Sequence, residues 1–219
     1  MVRAMPPEPR FVPRFAAEPP QELLPYGRRA ERLREEFLAA CLELEDALGE
    51  PGEPVWYPDR TWAGRTYVPV TCRTSTGLEL FGAVSYAPAL EEGQEDAHFR
   101  ATADWTEETA EANPEWTIDF CEEVVGGWRG EQGRVAAMTL VWGTPLVDRA
   151  AIATAELGGL TVDQCVLAEN RFTLLAPDDY RGDTLEVAVF DAGGSELARE
   201  SLWAGDAEDE DDEPVDTEA

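Results

Sequence analysis

Lysine is absent from this chain of 219 residues: all 17 of its basic residues are arginine, and His98 is its only histidine. A chain without lysine has no lysine-bearing phosphate loop, no ATP-binding lysine of the protein-kinase type and no lysine that forms a Schiff base. A chain with one histidine has no metal site built from several histidines. These two absences therefore exclude many of the enzyme classes that short motifs identify.

Targeting signals and closely spaced cysteines are also lacking. The start of the chain has no apolar signal-peptide core, and no apolar run approaches the length of a membrane span, so we expect a cytoplasmic protein without membrane contact. The four cysteines form no C-x-x-C pair and are interpreted as buried thiols of a reducing compartment. They are Cys41, Cys72, Cys121 and Cys165. Four isolated cysteines are poorly spaced for a metal, and we predict neither a metal nor a cofactor.

Negative charge dominates the residues that are present. Asp and Glu number 46, and the net charge is -29. Residues 206–219 contain five Asp and four Glu without a basic residue, which leaves -20 on residues 1–205. Such a surface repels phosphate groups and anionic lipids, so we do not expect binding to nucleic acids or membranes. It favours a basic protein partner.

Composition divides the chain into four regions. Residues 1–22 contain six prolines and are predicted to form an extended arm. Residues 23–147 are predicted to hold a helix and an antiparallel β region, and residues 148–205 a small region resembling a β-sandwich. Residues 206–219 are predicted to be a disordered acidic tail. Whether the middle regions form one body or two subdomains stays open.

One amphipathic helix is predicted over residues 25–48. Ala30, Leu33, Phe37 and Leu44 recur at spacings of three and four residues, which traces one apolar stripe. Arginines in the first turns and acidic residues in the last turns oppose the helix dipole. Packing against a sheet must therefore stabilise this helix.

Beyond residue 55 the apolar residues recur with a period of two, separated by turn signals. Short strands at this spacing are typical of a β-sandwich. Residues 121–128 fit either a strand or a helix. The predicted fold class is α+β, mainly antiparallel β and sandwich-like, with the N-terminal amphipathic helix packed on the sheet.

An aromatic cluster is the first candidate for a binding site. Trp56, Tyr57, Trp62 and Tyr67 lie within twelve residues, and Arg65 lies among them. Aromatic rings flanked by polar groups bind sugars and peptides, and Trp, Tyr and Arg dominate protein-binding hot spots. The alternative is that these rings fill the end of the sheet where the helix crosses it.

Catalytic side chains give weaker patterns. His98 is predicted on the polar face of a strand beside an acidic loop, where an ordinary surface position explains it. Carboxylate pairs such as Glu107 and Glu108 are adjacent in sequence, and adjacent residues of a strand point to opposite faces. A carboxylate-based hydrolase would need a concave pocket in which two carboxyls from different strands converge.

We therefore expect a non-enzymatic interaction protein that binds a basic protein partner through its acidic surface. One alternative is a module that binds a sugar or peptide through Trp56, Trp62 and Tyr67. The other alternative is the carboxylate-based hydrolase.

Overall fold

A computed structural model describes residues 18–44, 48–89, 94, 96–129, 135–178 and 184–202 of the protein. The predicted acidic tail and residues 1–17 of the predicted arm lie outside the described residues. Within the described residues, no helix combines the length and apolar character that crossing a bilayer requires.

The described residues form one helix and thirteen strands, and every strand pair is antiparallel. The helix is α1 (Gly27–Cys41). In chain order the strands are β1 (Val55–Trp56), β2 (Arg60–Trp62), β3 (Arg65–Arg73), β4 (Glu79–Ala87), β5 (Ala97–Ala101), β6 (Asp104–Thr106), β7 (Ile118–Arg129), β8 (Val135–Pro145), β9 (Ala150–Leu157), β10 (Leu160–Val166), β11 (Phe172–Asp178), β12 (Leu185–Asp191) and β13 (Glu196–Ser201). The predicted α+β, mainly antiparallel and sandwich-like fold class is confirmed.

The strands form three sheets. Sheet I contains β1 to β6 around the order β1–β3–β4–β5, with β2 paired to β3 and β6 paired to β4. Sheet II has the order β11–β8–β7, and sheet III has the order β10–β9–β12–β13. With α1 packed on sheet I, the layers follow the order α1, sheet I, sheet II and sheet III.

Three groups of buried side chains hold these layers together. Between α1 and sheet I lie Leu33, Phe37, Val70, Val84 and Tyr86. Between sheets I and II lie Tyr57, Tyr67, Met138, Leu140 and Trp142. Between sheets II and III lie Val141, Phe172, Leu174, Ala155 and Val187. Full burial of one large apolar side chain stabilises a fold by about 1.5–3 kcal/mol, so each interface contributes substantially.

Helix α1 depends on tertiary packing. Its first turn contains no acidic residue and its last turn no basic residue, so its charges do not complement the helix dipole. Instead the Arg29 guanidinium lies 5.0 Å from the centre of the Tyr86 ring and ion-pairs with Glu22 and Asp96. Arg32 lies 5.3 Å from the centre of the Phe99 ring. These contacts fasten the helix to sheet I.

Residues 121–128 form part of a strand. They belong to β7, which pairs with β8 along its length except for a bulge between Val124 and Gly126. Sheet II is the central sheet, so β7 packs side chains on both faces: Phe120 contacts the core toward sheet III, and Cys121 and Val125 contact the core toward sheet I. Apolar residues on both faces explain why a helical period also fitted this segment.

The boundary between residues 147 and 148 stays a prediction. Strand β11, from the second predicted region, pairs with β8 from the first. Arg60 of β2 forms a buried ion pair with Asp163 of β10, and the main-chain N–H of Leu175 donates to the same carboxylate over 2.8 Å. Main-chain pairing and a buried ion pair therefore cross this position.

Candidate functional site

The predicted aromatic cluster is split between two cores. Tyr57 and Tyr67 are 6% and 8% exposed and lie between sheets I and II, where Trp62 packs beside them. Trp56 packs instead against the core between α1 and sheet I. The structure therefore brings Tyr57, Trp62 and Tyr67 together but does not place Trp56 with them.

The members of this cluster already have partners within the fold. The Tyr57 hydroxyl lies 3.4 Å from the Thr71 hydroxyl, and burial raises the pKa of Tyr57 to about 12. Arg65 donates to the Ser85 hydroxyl and to the main-chain oxygen of His98, each over 2.9 Å. His98 itself is exposed, at a positive φ of 56°. A binding role for Trp56, Tyr57, Trp62, Arg65 and Tyr67 stays a prediction.

A second group of side chains forms a concave site where β4 begins, β6 ends and β7 begins. The site, which we call the acidic cavity, has a volume of about 230 Å³. Its lining residues are Glu79, Phe81, Thr106, Glu108, Trp116, Asp119, Phe120, Cys121 and Glu122. Four are carboxylates and three are aromatic, and none of these lining residues is basic.

Burial and mutual repulsion shape the electrostatics of the acidic cavity. Burial raises the pKa of Glu79 to about 7, with a further increase from the charge of Asp119 and a decrease from Arg73. Burial also raises the pKa of Asp119. The pKa of Glu122 is raised by burial and then by Asp178. A cation inside the cavity would relieve this repulsion.

Arg73, the basic residue that lowers the pKa of Glu79, is engaged outside the cavity. Arg73 donates two hydrogen bonds to the Glu111 carboxylate, over 2.6 and 2.8 Å. Glu111 does not line the acidic cavity. The site therefore keeps an excess of negative charge beside its aromatic rings.

An apolar cavity of about 220 Å³ adjoins the acidic cavity. Its lining residues are Trp116, Ile118, Phe120, Glu200, Ser201 and Leu202. Trp116 and Phe120 line both cavities, which makes the two sites neighbours. A hydrogen bond of 2.6 Å from the Thr117 hydroxyl to Glu200 joins the start of β7 to β13 at this place.

A larger cleft, of about 820 Å³, lies between the first turns of α1 and β5. Its arginines are mostly neutralised by the protein's own carboxylates: Arg29 pairs with Glu22 and Asp96, and Arg32 pairs with Glu35 and Glu36. This cleft therefore offers an anionic ligand little uncompensated positive charge. Among the described residues no group of three or more His, Cys, Asp or Glu side chains is arranged to hold a metal ion.

The prediction from sequence missed the acidic cavity. Its carboxylates come from β4, from the segment after β6 and from β7, and adjacent carboxylate pairs do not predict such a convergence. One signal was present: residues 101–128 contain eight carboxylates and no basic residue, together with Trp105, Trp116, Phe120 and Trp128. Comparisons of this chain with protein-family models, curated proteins and solved structures found no match.

Proposed function

We propose that this protein is a non-enzymatic cytoplasmic interaction protein that binds a basic protein partner through the acidic surface around the acidic cavity. The observation that carries this proposal is the convergence of Glu79, Glu108, Asp119 and Glu122 in one concave site whose described lining contains no basic residue. Glu79 and Asp119 are partly buried, so a guanidinium or ammonium group would gain more beside these two carboxylates than at an open surface.

The size and the lining of the acidic cavity favour the binding of a single side chain. Small-molecule sites usually have volumes of about 300–1,000 Å³, and this cavity is smaller, at about 230 Å³. The rings of Phe81, Trp116 and Phe120 add aromatic walls, which attract cations through their π faces. An Arg or Lys side chain of a partner protein has both the charge and the shape for this site.

The surroundings extend the negative surface beyond the cavity. Asp104, Glu107 and Glu115 are exposed in β6 and in the segment that leads from it into β7. Charges of one sign around a binding site speed the encounter with a partner of opposite charge and make binding sensitive to salt. We therefore expect weaker partner binding as the ionic strength rises.

The experiment is affinity capture from an extract of cells that express the protein, at about 50 mM and about 500 mM salt. A cavity variant carries Glu79→Gln, Glu108→Gln, Asp119→Asn and Glu122→Gln. A matched surface variant carries Glu31→Gln, Glu53→Gln, Asp148→Asn and Glu169→Gln, at four exposed positions outside the cavity.

Both variants replace four carboxyl groups by amides, so they separate the cavity from general electrostatics. We expect the wild type and the surface variant to retain the same basic protein at low salt and to release it at high salt. The cavity variant should fail to retain it. Equal retention by both variants, or no specific protein at low salt, would contradict the proposal.

A carboxylate-based hydrolase is a second candidate, because Glu79 and Asp119 come from different strands and line one cavity. With its pKa raised to about 7, Glu79 suits a proton donor, and Asp119 suits the partner carboxylate. The test is release of nitrophenol from a panel of aryl glycosides. Turnover that disappears in both Glu79→Gln and Asp119→Asn favours this function; no turnover, or turnover that survives both changes, excludes it.

A further inference from the structure

In the part of the chain that the structure describes, strand β7 has a neighbouring strand on one side only. Sheet II has the order β11–β8–β7, so among the described residues β7 forms an edge of this sheet. The Leu146 N–H donates a hydrogen bond of 2.9 Å to the main-chain oxygen of Thr117. Thr117 and Leu146 are therefore a hydrogen-bonded pair just before β7 and just after β8, and this fixes which residues of β7 direct their main-chain groups toward β8. Since hydrogen-bonded and non-hydrogen-bonded pairs alternate, Ile118, Phe120 and Glu122 direct their main-chain groups away from β8.

The acidic cavity lies along this edge. Successive side chains of a strand point to opposite faces of the sheet, yet four consecutive residues of β7, Asp119 to Glu122, line the cavity. A cavity confined to one face would contact every second residue. The acidic cavity therefore wraps around the open side of β7, where a further strand would lie.

The two faces beside this edge differ in chemistry. Toward sheet I the cavity presents Glu79 and Asp119. Toward sheet III the apolar cavity presents Ile118 and Leu202 beside Glu200, whose carboxylate already accepts a hydrogen bond from the Thr117 hydroxyl. An extended segment placed along the edge would direct neighbouring side chains alternately toward these two faces.

We infer that β7 accepts an extended segment of the basic partner as an added strand, with an Arg or Lys side chain in the acidic cavity and the large apolar side chain next to it in the apolar cavity. The inference rests on the proposed function and names the form in which the partner binds. Main-chain hydrogen bonds to Phe120 and Glu122 would give affinity, and the two cavities would give specificity.

Charge complementarity selects this occupant over a second copy of the chain. A second copy would bring its own Asp119 and Glu122 to the same edge, beside another molecule of net charge -29. Carboxylates directly opposite each other destabilise a strand pair, whereas opposite charges stabilise it. The usable edge is short, because the bulge between Val124 and Gly126 interrupts the strand.

The test measures binding of fluorescein-labelled octapeptides to the full-length protein at about 50 mM salt. The first peptide, Gly-Ser-Thr-Arg-Leu-Thr-Ser-Gly, has Arg and Leu as neighbours, which places them on opposite faces. The second, Gly-Ser-Arg-Thr-Leu-Thr-Ser-Gly, has the same composition but separates them by one residue, which places them on one face. We expect the first to bind about tenfold more tightly than the second.

A second comparison reports on the main chain alone. Two versions of the first peptide carry N-methyl groups on alternate residues. One version is methylated on the threonine before the arginine, on the leucine and on the second serine. The other version is methylated on the arginine and on the threonine after the leucine. Along an added strand only every second N–H faces β7. One version should therefore lose about tenfold in affinity and the other should bind like the parent.

The outcomes separate this inference from the proposal on which it rests. If both spacings and both N-methylated versions bind alike, strand addition is wrong, and the capture experiment still decides the basic-partner function. If no peptide binds, the inference is overturned, and the capture experiment alone decides the proposed function. Because the peptide comparisons use the wild-type protein, they do not depend on whether a variant folds.

Discussion

At the scale of single residues, Glu79 is the most informative side chain. It begins β4, pairs across the strands with Thr106 and Arg73, and lines the acidic cavity with Asp119. Burial, and then Asp119, hold its pKa at about 7, against about 4.3 for an ordinary Glu side chain. The ionised form of Glu79 therefore destabilises the folded protein, and a bound cation would restore that stability.

We predict that Glu79→Gln stabilises the protein at pH 8 and not at pH 4. A carboxyl whose pKa is raised on folding favours the folded state while it is protonated, and this contribution is lost as the pH rises through about 7. The neutral Gln avoids that loss. We expect the free energy of unfolding to rise by about 1–2 kcal/mol at pH 8. This is less than the full pKa shift would give, because water screens a partly exposed carboxyl.

Urea unfolding of the wild type and of Glu79→Gln across pH 4–8 measures this effect. Glu31→Gln, on the exposed surface of α1, removes the same charge from the protein. A gain at pH 8 of equal size in both variants would show that net charge, and not the cavity, is responsible.

At the scale of elements, β7 explains both what sequence predicts and what it misses. Alternation of larger apolar residues with polar or smaller ones, as in β3 and β4, predicted strands from the sequence. Strand β7 packs on both faces, so its alternation is obscured. The acidic cavity was not predictable because Glu79 and Asp119 lie in different sheets, and the packing of sheet I on sheet II brings them together. No short-range pattern predicts how two sheets pack on each other.

The aromatic residues show the same limit. They cluster in sequence in the β1–β3 region, but Trp56 packs toward α1, whereas Tyr57 and Tyr67 pack toward sheet II. Sequence proximity alone therefore does not define a shared surface on a strand, since neighbouring side chains diverge.

The contact of Trp62 with β7 gives a prediction at this scale. A Cβ atom at Gly126 would lie 2.6 Å from Cζ3 and 2.8 Å from Cη2 of the Trp62 ring. Gly126→Ala should therefore force sheets I and II apart locally and destabilise the protein by about 1–3 kcal/mol. Thermal or urea unfolding measures the change.

Gly127→Ala is the matched control, because its added Cβ would meet only Val135, at 3.9 Å. Both substitutions add one methyl group to neighbouring residues of β7. If the two variants lose the same stability, the Trp62 contact does not constrain the packing of the two sheets.

At the scale of the whole molecule, the ion pair between Arg60 and Asp163 connects sheet I to sheet III. Both side chains are almost fully buried, at 3% and 6% exposure. Asp163 also accepts main-chain hydrogen bonds from Leu175 and Gln164, which distributes its charge among several donors. The three sheets are thus joined by a polar contact as well as by apolar cores.

We predict that Asp163→Asn costs about 3–5 kcal/mol, because it leaves the Arg60 guanidinium buried without its counter-charge. The free energy of unfolding in urea measures the loss. The double variant Arg60→Met with Asp163→Asn should recover much of it, since no unpaired charge remains and the Asn side chain keeps an oxygen that can accept a main-chain hydrogen bond. A double variant as unstable as the single one would assign the loss to packing and hydrogen bonds.

The carboxylates of the acidic cavity also allow a bound partner to be detected by chemical cross-linking. A carbodiimide activates a carboxyl group, which then forms an amide with any amine in direct contact. This chain has no lysine, so apart from its α-amino group it has no amine with which its own carboxylates could react. Every other amide formed at Glu79, Glu108, Asp119 or Glu122 must join the protein to another molecule. Mass spectrometry of the linked peptides would therefore identify a lysine of the partner, together with the residue beside it, without background from internal cross-links.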